Sequence, residues 1–249
     1  MEKSPAFERI VQDLPTGSPL FLEEPGNIAK HLTPFITQDR FERLTDVVSR
    51  RTRRITCFLE NVFDPHNVSA CVRSCDAFGI QDIHILPQEG VKLKLSGDVS
   101  SGSHRWLDHR IYNNVEEAIS WFKNNDYRIV VTDLQGSSPP LSPAEVPVDG
   151  KTVIAFGSEH EGISETLRQA ADYRIALPMH GFVQSFNISV AFALTMSQLR
   201  QRQIDESGST GDLSNEERLR ILDRWVLKDL PKAREILEEL RRRSTQSPL

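Results

Sequence analysis

Side chains able to do chemistry occur in three short segments, the first of which spans residues 61–73. It places Asn67 six residues before Arg73, with only small and apolar residues between them. An Arg in such apolar surroundings rarely lacks a partner, and its guanidinium suits an anionic or phosphate-bearing substrate. The structural alternative is that Asn67 caps a helix and Arg73 forms an ordinary salt bridge.

The second segment, residues 156–163, carries Gly157, Glu159 and Gly162. Two glycines let a loop bend sharply and bring backbone N–H groups close to a ligand, and a carboxylate in that bend could order the loop. The glycine spacing is that of a phosphate-binding loop, but Ile163 and Ser164 stand where such a loop requires Lys and Ser or Thr. We therefore exclude triphosphate binding, and by itself this segment predicts only a tight turn.

The third segment, residues 177–191, contains Ser185, Asn187 and Ser189 at the start of a stretch typical of a helix. Ser185 is predicted to cap that helix, which would put Asn187 and Ser189 in its first turn. Capping alone would explain these side chains. The functional alternative is that they form the polar floor of a pocket.

Other common site patterns are missing from the sequence. There is no G-x-G pair for a dinucleotide fingerprint and no G-x-S-x-G nucleophile elbow. Cys71 and Cys75 share a helix face, but no second ligand pair matches them, so we interpret them as packed thiols.

The three segments are connected by alternating strand and helix patterns. Strands are predicted at residues 54–59, 81–86, 127–132, 151–156 and 173–177. Helices are predicted at residues 66–78, 114–125, 163–171 and 185–203. This alternation predicts a parallel α/β sheet. In such a sheet ligands bind at the carboxyl ends of strands, and each of the three segments follows a strand.

Further helices are predicted on both sides of this alternating region. One lies around residues 5–13 in a Pro-rich segment, and another begins at Asp39, where apolar residues recur at helical spacing. Two charged amphipathic helices are predicted at about 214–227 and 231–243, after a polar linker at 205–213.

The composition narrows the class of protein. The 249 residues are 38% hydrophobic and 26% charged, which excludes collagen, low-complexity disorder and a coiled-coil rod. Three cysteines without framework spacing indicate a reducing compartment. Neither an apolar leader nor a membrane-length apolar run is present, so we expect a cytoplasmic protein without a membrane partner.

The charge distribution matters more than the net charge. A net charge of -5 does not indicate a nucleic-acid binder. Residues 40–54, however, contain six Arg against one Asp and one Glu. Such a local patch is able to bind phosphates in a salt-sensitive way.

Taken together, the three segments resemble the three motifs of the SpoU-type branch of the SPOUT RNA methyltransferases. The matching patterns are Asn67…Arg73, Gly157-x-Glu159-x-x-Gly162 and Ser185-x-Asn187-x-Ser189-x-Ala191, in the family's order. The resemblance covers about residues 54–203 and is strongest to the subgroup that methylates guanosine 18 of tRNA. Phe186 departs from the usual Leu, and residues 1–38 are longer than the family's short N-terminal helix.

This resemblance implies a fold and an assembly. The implied fold is an α/β parallel sheet flanked by helices, with a deep trefoil knot at about residues 151–203. A catalytic domain at 54–203 would lie between an N-terminal helical extension at 1–53 and a C-terminal one at 204–249. The resemblance also implies a homodimer.

The resemblance further implies methyl transfer from S-adenosylmethionine to the ribose 2'-OH of guanosine 18 in the tRNA D-loop, without a metal. Arg73 would act with a substrate phosphate to activate the hydroxyl. Since an ordinary Arg has a pKa above about 12, either the phosphate accepts the proton or the site alters Arg73. Two alternatives stay open, a ribosomal-RNA 2'-O-methyltransferase and a non-catalytic RNA-binding protein of the same fold.

The candidate site residues fall into three sets. The resemblance implies a catalytic set of Arg73, Asn67, Glu159, Ser185 and Asn187. It implies a cofactor-binding set of Thr132, Leu134, Phe156, Gly157, Gly162, Leu177 and Phe186. The charge pattern adds an RNA-binding set of Arg50, Arg51, Arg53 and Arg54.

Overall fold

The computed structural model describes residues 24–62, 64–88, 102–135, 139–158 and 161–246. Glu159 and the helix predicted around residues 5–13 lie outside these described residues. The chain divides into two units. One is residues 52–210, and the other combines the described residues up to Arg51 with those from Gly211 onward.

The larger unit contains a six-stranded parallel sheet in the order β3-β2-β1-β5-β4-β6. The strands are β1 Ile55–Glu60, β2 Asp82–Leu86, β3 Asp108–Ile111, β4 Tyr127–Thr132, β5 Lys151–Phe156 and β6 Tyr173–Ile175. In register, Cys57 of β1 lies opposite Ile83 of β2 and Ile154 of β5. The predicted parallel α/β sheet is thus confirmed, and the carboxyl ends of its strands meet at one edge.

Helices of the larger unit cover both faces of the sheet. They are α3 Pro65–Ala77, α4 Val115–Asn124, α5 Glu165–Ala170 and α6 Ile188–Ser207. Buried residues of α3 and α6 share one apolar cluster with Cys57 and Leu59 of β1, and those of α4 and α5 share another with Phe58. Alternate strand residues therefore point to opposite layers, which explains why the central strands are apolar throughout.

Two elements of this unit differ most from the prediction. Strand β3 was not predicted, because it is a polar edge strand and its last two residues are exposed. Helix α6 begins at Ile188 rather than at residue 185 and ends at Ser207, where Gly208 with a φ of 68° closes it in a left-handed turn.

The second unit is helical. Its helices are α1 Asn27–Leu32, α2 Gln38–Ser49, α7 Asn215–Asp229 and α8 Ala233–Gln246. Asp223 of α7 accepts hydrogen bonds from the backbone N–H groups of Gly26 and Ala29, both at 2.7 Å. Arg40 of α2 pairs with Asp229 through two hydrogen bonds of 2.6 and 2.8 Å. Segments from the two ends of the sequence therefore fold together.

No helix in the described parts of the chain combines the length and the apolar character needed to cross a bilayer.

Candidate functional site

A cavity of about 360 Å³ lies at the carboxyl ends of β4, β5 and β6. Its volume is in the range of roughly 300–1,000 Å³ found for small-molecule sites. The structure brings all seven predicted cofactor-binding residues to its wall, together with Ser185 of the catalytic set. Those seven are Thr132, Leu134, Phe156, Gly157, Gly162, Leu177 and Phe186.

One wall of the cavity is a narrow hairpin that follows β5. Ser158 and Gly162 exchange two backbone hydrogen bonds, of 3.2 and 3.0 Å, which close the loop. A Cβ on Gly157 would lie 2.1 Å from the carbonyl carbon and oxygen of Gly162, so only glycine fits there. Gly162 has a φ of +70°, a conformation that glycine adopts without strain.

The lining mixes apolar side chains with a few polar groups. Leu134 and Phe186 are the exposed apolar residues of the wall, and Phe156 forms its buried part. This combination is the usual chemistry of a site for a small organic ligand, and it fits an adenosine-containing cofactor. Among the described residues, no group of three or more His, Cys, Asp or Glu side chains is placed to hold a metal ion.

The first and third segments meet through two amides. The Asn187 side-chain nitrogen donates a hydrogen bond of 3.3 Å to the Asn67 side-chain oxygen. The Asn187 oxygen accepts from both the backbone N–H and the hydroxyl of Ser189, at 2.9 and 2.6 Å. Asn187 therefore orders the start of α6 and links it to α3.

Both predicted helix caps are wrong. Asn187, not Ser185, caps α6, and Ser185 lies in the exposed loop before it. Asp64, not Asn67, caps α3, because Pro65 occupies the first helical position and the Asp64 carboxylate accepts the N–H of His66 at 2.8 Å. The Asn67 side chain is consequently available to Asn187.

Arg73 lies on α3 with its side chain exposed. Its guanidinium forms no hydrogen bond or ion pair within the described part of the chain. The salt-bridged alternative for Arg73 therefore finds no partner among these residues. An exposed guanidinium of this kind is available to an anionic substrate.

The model of the SpoU rRNA methylase family matches residues 54–197, which is more than half of the chain. This chain belongs to the SpoU rRNA methylase family. The resemblance stated from the three motifs is thereby confirmed.

Curated relatives of this SpoU methylase include several enzymes named tRNA (guanosine(18)-2'-O)-methyltransferase. The one from Aquifex aeolicus is 35% identical over 201 residues, covering 80% of this chain and 94% of the relative. The one from Borreliella burgdorferi is 36% identical over 188 residues, covering 74% of this chain and 85% of the relative. The crystal structure of the A. aeolicus TrmH/SpoU tRNA modifying enzyme matches with a TM-score of 0.71 and 34% identity, over 78% of this chain and 98% of that one.

Two Arg residues of the predicted RNA-binding set lie in the helical unit of this SpoU methylase. Arg50 is exposed and pairs with Asp46 at 2.6 Å. Arg51 is only 1% exposed, and its guanidinium carbon lies 5.1 Å from the centre of the Trp225 ring. A side chain buried in this way offers no surface to a phosphate, so we remove Arg51 from the RNA-binding set.

The other two Arg residues lie in the sheet unit. Arg53 bridges Asp82 and Asp108, at 2.9 and 2.6 Å, and so ties β2 to β3. Arg54 donates a hydrogen bond of 2.7 Å to the carbonyl oxygen of Asp149, in an exposed position. Arg53 is thus engaged in a structural ion pair, whereas Arg54 is still accessible to RNA.

Sequence reasoning missed several residues of the cavity wall. Asp133 could have been found, because it stands between Thr132 and Leu134 at the end of a predicted strand. Thr195 could not have been found, because no sequence pattern marks a residue in the middle of α6 as part of a cavity wall.

Proposed function

We propose that this SpoU methylase transfers a methyl group from S-adenosylmethionine to the ribose 2'-OH of guanosine 18 in the tRNA D-loop. The observation that carries the proposal is the match over 94% of the length of an enzyme named for this reaction. The position of Gly157, Gly162 and Ser185, from the second and third motifs, on the wall of one cavity supports it.

The cavity residues would hold the cofactor. The loop from Gly157 to Gly162 would supply backbone groups, and Leu134, Leu177 and Phe186 would supply apolar contact. S-adenosylmethionine supplies an activated methyl group, and its transfer to the ribose oxygen leaves S-adenosylhomocysteine and a proton. Since the donor is already activated, the protein contributes mainly by positioning the two reactants.

The polar residues of α3 and α6 would bind the ribose and its phosphate. The 2'-OH is a poor nucleophile and has to lose its proton in or near the transition state. Because guanidinium groups stay protonated in proteins, we assign Arg73 to the binding of a substrate phosphate and proton acceptance to a phosphate oxygen. Asn67 and Asn187 would orient the ribose, Ser185 would shape the pocket, and Glu159 would order the cofactor loop.

We also propose that two copies of the chain associate. Val190 and Leu194 are exposed one turn apart on α6, and Phe182 and Val183 are exposed in the loop before this helix. Large apolar side chains exposed in one part of a chain are typical of protein interfaces. We further propose a knot at about residues 151–203 and domain boundaries at 53/54 and 203/204. The proposal also includes a cytoplasmic location and a reaction that needs no metal.

The test is to incubate the protein with S-adenosylmethionine and an unmodified tRNA transcript, then map methylated nucleosides by mass spectrometry. We expect 2'-O-methylguanosine at position 18. A matched transcript with 2'-deoxyguanosine at that position should remain unmethylated. Methylation of ribosomal RNA alone, or cofactor binding without turnover on any RNA, would refute the proposed function.

A further inference from the structure

A buried carboxylate connects the cofactor loop to the sheet without lining the cavity. Glu60, the last residue of β1, is 1% exposed. Its two oxygens accept hydrogen bonds from the backbone N–H of Ser164 at 2.9 Å and from the Ser164 hydroxyl at 2.5 Å. Ser164 stands two residues after Gly162, so this contact anchors the end of the hairpin that forms one cavity wall.

A second contact joins the same region to the loop that follows β4. Arg168 of α5 donates a hydrogen bond of 2.5 Å to the Asp133 carboxylate and one of 3.2 Å to the carbonyl oxygen of Ile163. Asp133 lines the cavity and also accepts the backbone N–H of Gln135 at 3.0 Å. Side chains from β1 and α5 therefore fix the distance between the loops that follow β4 and β5.

The Glu60 contact is more than a helix cap. The Ser164 hydroxyl already caps α5 by accepting the N–H of Leu167 at 3.2 Å. Glu60 instead fastens Ser164 itself to the end of β1. Burial raises the pKa of Glu60, while its hydrogen bonds to Ser164 and the charge of Arg168 act in the opposite direction. Burying a carboxylate is unfavourable unless it is well hydrogen-bonded, and both oxygens of Glu60 are hydrogen-bonded to Ser164.

We propose that Glu60 is a positioning residue for the methyl donor: through Ser164 it holds the paired residues Ser158 and Gly162 in the position that cofactor binding requires. This inference rests on the proposed function, since it takes the cavity as the site of S-adenosylmethionine. Glu60 does not line the cavity and acts only through the loop. Loss of the Glu60 carboxylate should therefore weaken cofactor binding. It should leave the rate of the chemical step at saturating cofactor unchanged.

The test is calorimetric titration of the full-length protein with S-adenosylhomocysteine, alongside steady-state kinetics. For Glu60→Gln we expect the Kd to rise about tenfold, equivalent to about 1.4 kcal/mol. The KM for S-adenosylmethionine should rise by the same factor, while kcat and the KM for tRNA stay within about twofold, as uniform loss of binding predicts. Ser164→Ala should behave like Glu60→Gln, and Ser164→Thr, which keeps the hydroxyl, should bind like the wild type.

Asp223 offers a matched control for general destabilisation. It is another buried carboxylate that accepts two backbone N–H bonds, but it belongs to the helical unit. Asp223→Asn should lower the melting temperature and leave the Kd for S-adenosylhomocysteine unchanged. If Glu60→Gln does not fold, the comparison of Ser164→Ala with Ser164→Thr decides the matter.

The possible failures are distinguishable. A wild-type protein that binds no cofactor refutes the proposed function. A wild type that binds, with folded variants of Glu60 and Ser164 that bind equally well, refutes only the positioning role. A fall in kcat without a change in Kd also overturns this role, because it would place Glu60 in the chemical step.

Discussion

The hairpin after β5 should be intolerant of a single added methyl group at Gly157. An ideal Cβ there would lie 2.1 Å from the carbonyl carbon and oxygen of Gly162 and 2.5 Å from the backbone nitrogen of Ile163. All three are backbone atoms, so no side-chain rotation relieves the clash. To reach ordinary contact, the two arms of the hairpin have to separate by at least about 1.3 Å.

This displacement sets the size of the expected effect. Overpacking of this kind costs about 1–3 kcal/mol of stability, and the two hydrogen bonds between Ser158 and Gly162 would be strained as well. Because the hairpin is a wall of the cavity, we expect Gly157→Ala to raise the Kd for S-adenosylhomocysteine by about tenfold or more, which corresponds to at least about 1.4 kcal/mol.

Three other glycines serve as control positions that distinguish this steric clash from backbone strain. Gly162 and Gly208 have φ values of +70° and +68° and open space around a Cβ, so alanine at either should cost about 1–2 kcal/mol of stability. Gly181 has neither positive φ nor a close neighbour. Gly208→Ala should lower stability without changing affinity, and Gly181→Ala should change neither.

The assays are calorimetric titration with S-adenosylhomocysteine and urea unfolding of the four alanine variants. Gly157→Ala should lose the most affinity, followed by Gly162→Ala. If Gly157→Ala binds and unfolds like Gly181→Ala, the hairpin is not held as described and the reasoning fails.

Three further predictions concern exposed and buried charges. Arg73→Ala should melt like the wild type, because the side chain is exposed. It should still bind tRNA, because only one phosphate contact is lost, but it should lose methyl transfer; wild-type turnover would refute the proposed mechanism. The double variant Arg50→Ala and Arg54→Ala should bind tRNA more weakly. The slope of the logarithm of the tRNA binding constant against the logarithm of the salt concentration should fall by about 1 per lost phosphate contact. An unchanged slope would place the RNA surface elsewhere. Burial lowers the pKa of His84 to about 3, so the folded state keeps the imidazole neutral while the unfolded chain protonates near its ordinary pKa of 6.5. The wild type should therefore lose about 2 kcal/mol more stability than His84→Gln between pH 7 and pH 5 in urea titrations, and equal losses would contradict the burial of a neutral His84.

The elements predicted most accurately are those whose pattern is decided locally. Strands β4 and β5 were predicted to the residue, because buried parallel strands form apolar runs with clear ends. Helix ends were less accurate, because several residues near each terminus are able to cap it. At α6 both Ser185 and Asn187 are of a capping type, and only the packed structure selects Asn187.

The sequence by itself determined the alternation of strands and helices, the three motifs and hence the family. Only the tertiary structure decided which of these residues meet. The Asn67–Asn187 contact joins residues 120 positions apart, and the Glu60–Ser164 contact joins residues 104 positions apart. The tertiary structure also decided that Arg51 is buried and that Arg53 is ion-paired. The physical reason is that local patterns encode strands and turns, whereas the strand order β3-β2-β1-β5-β4-β6 determines which strand ends lie side by side.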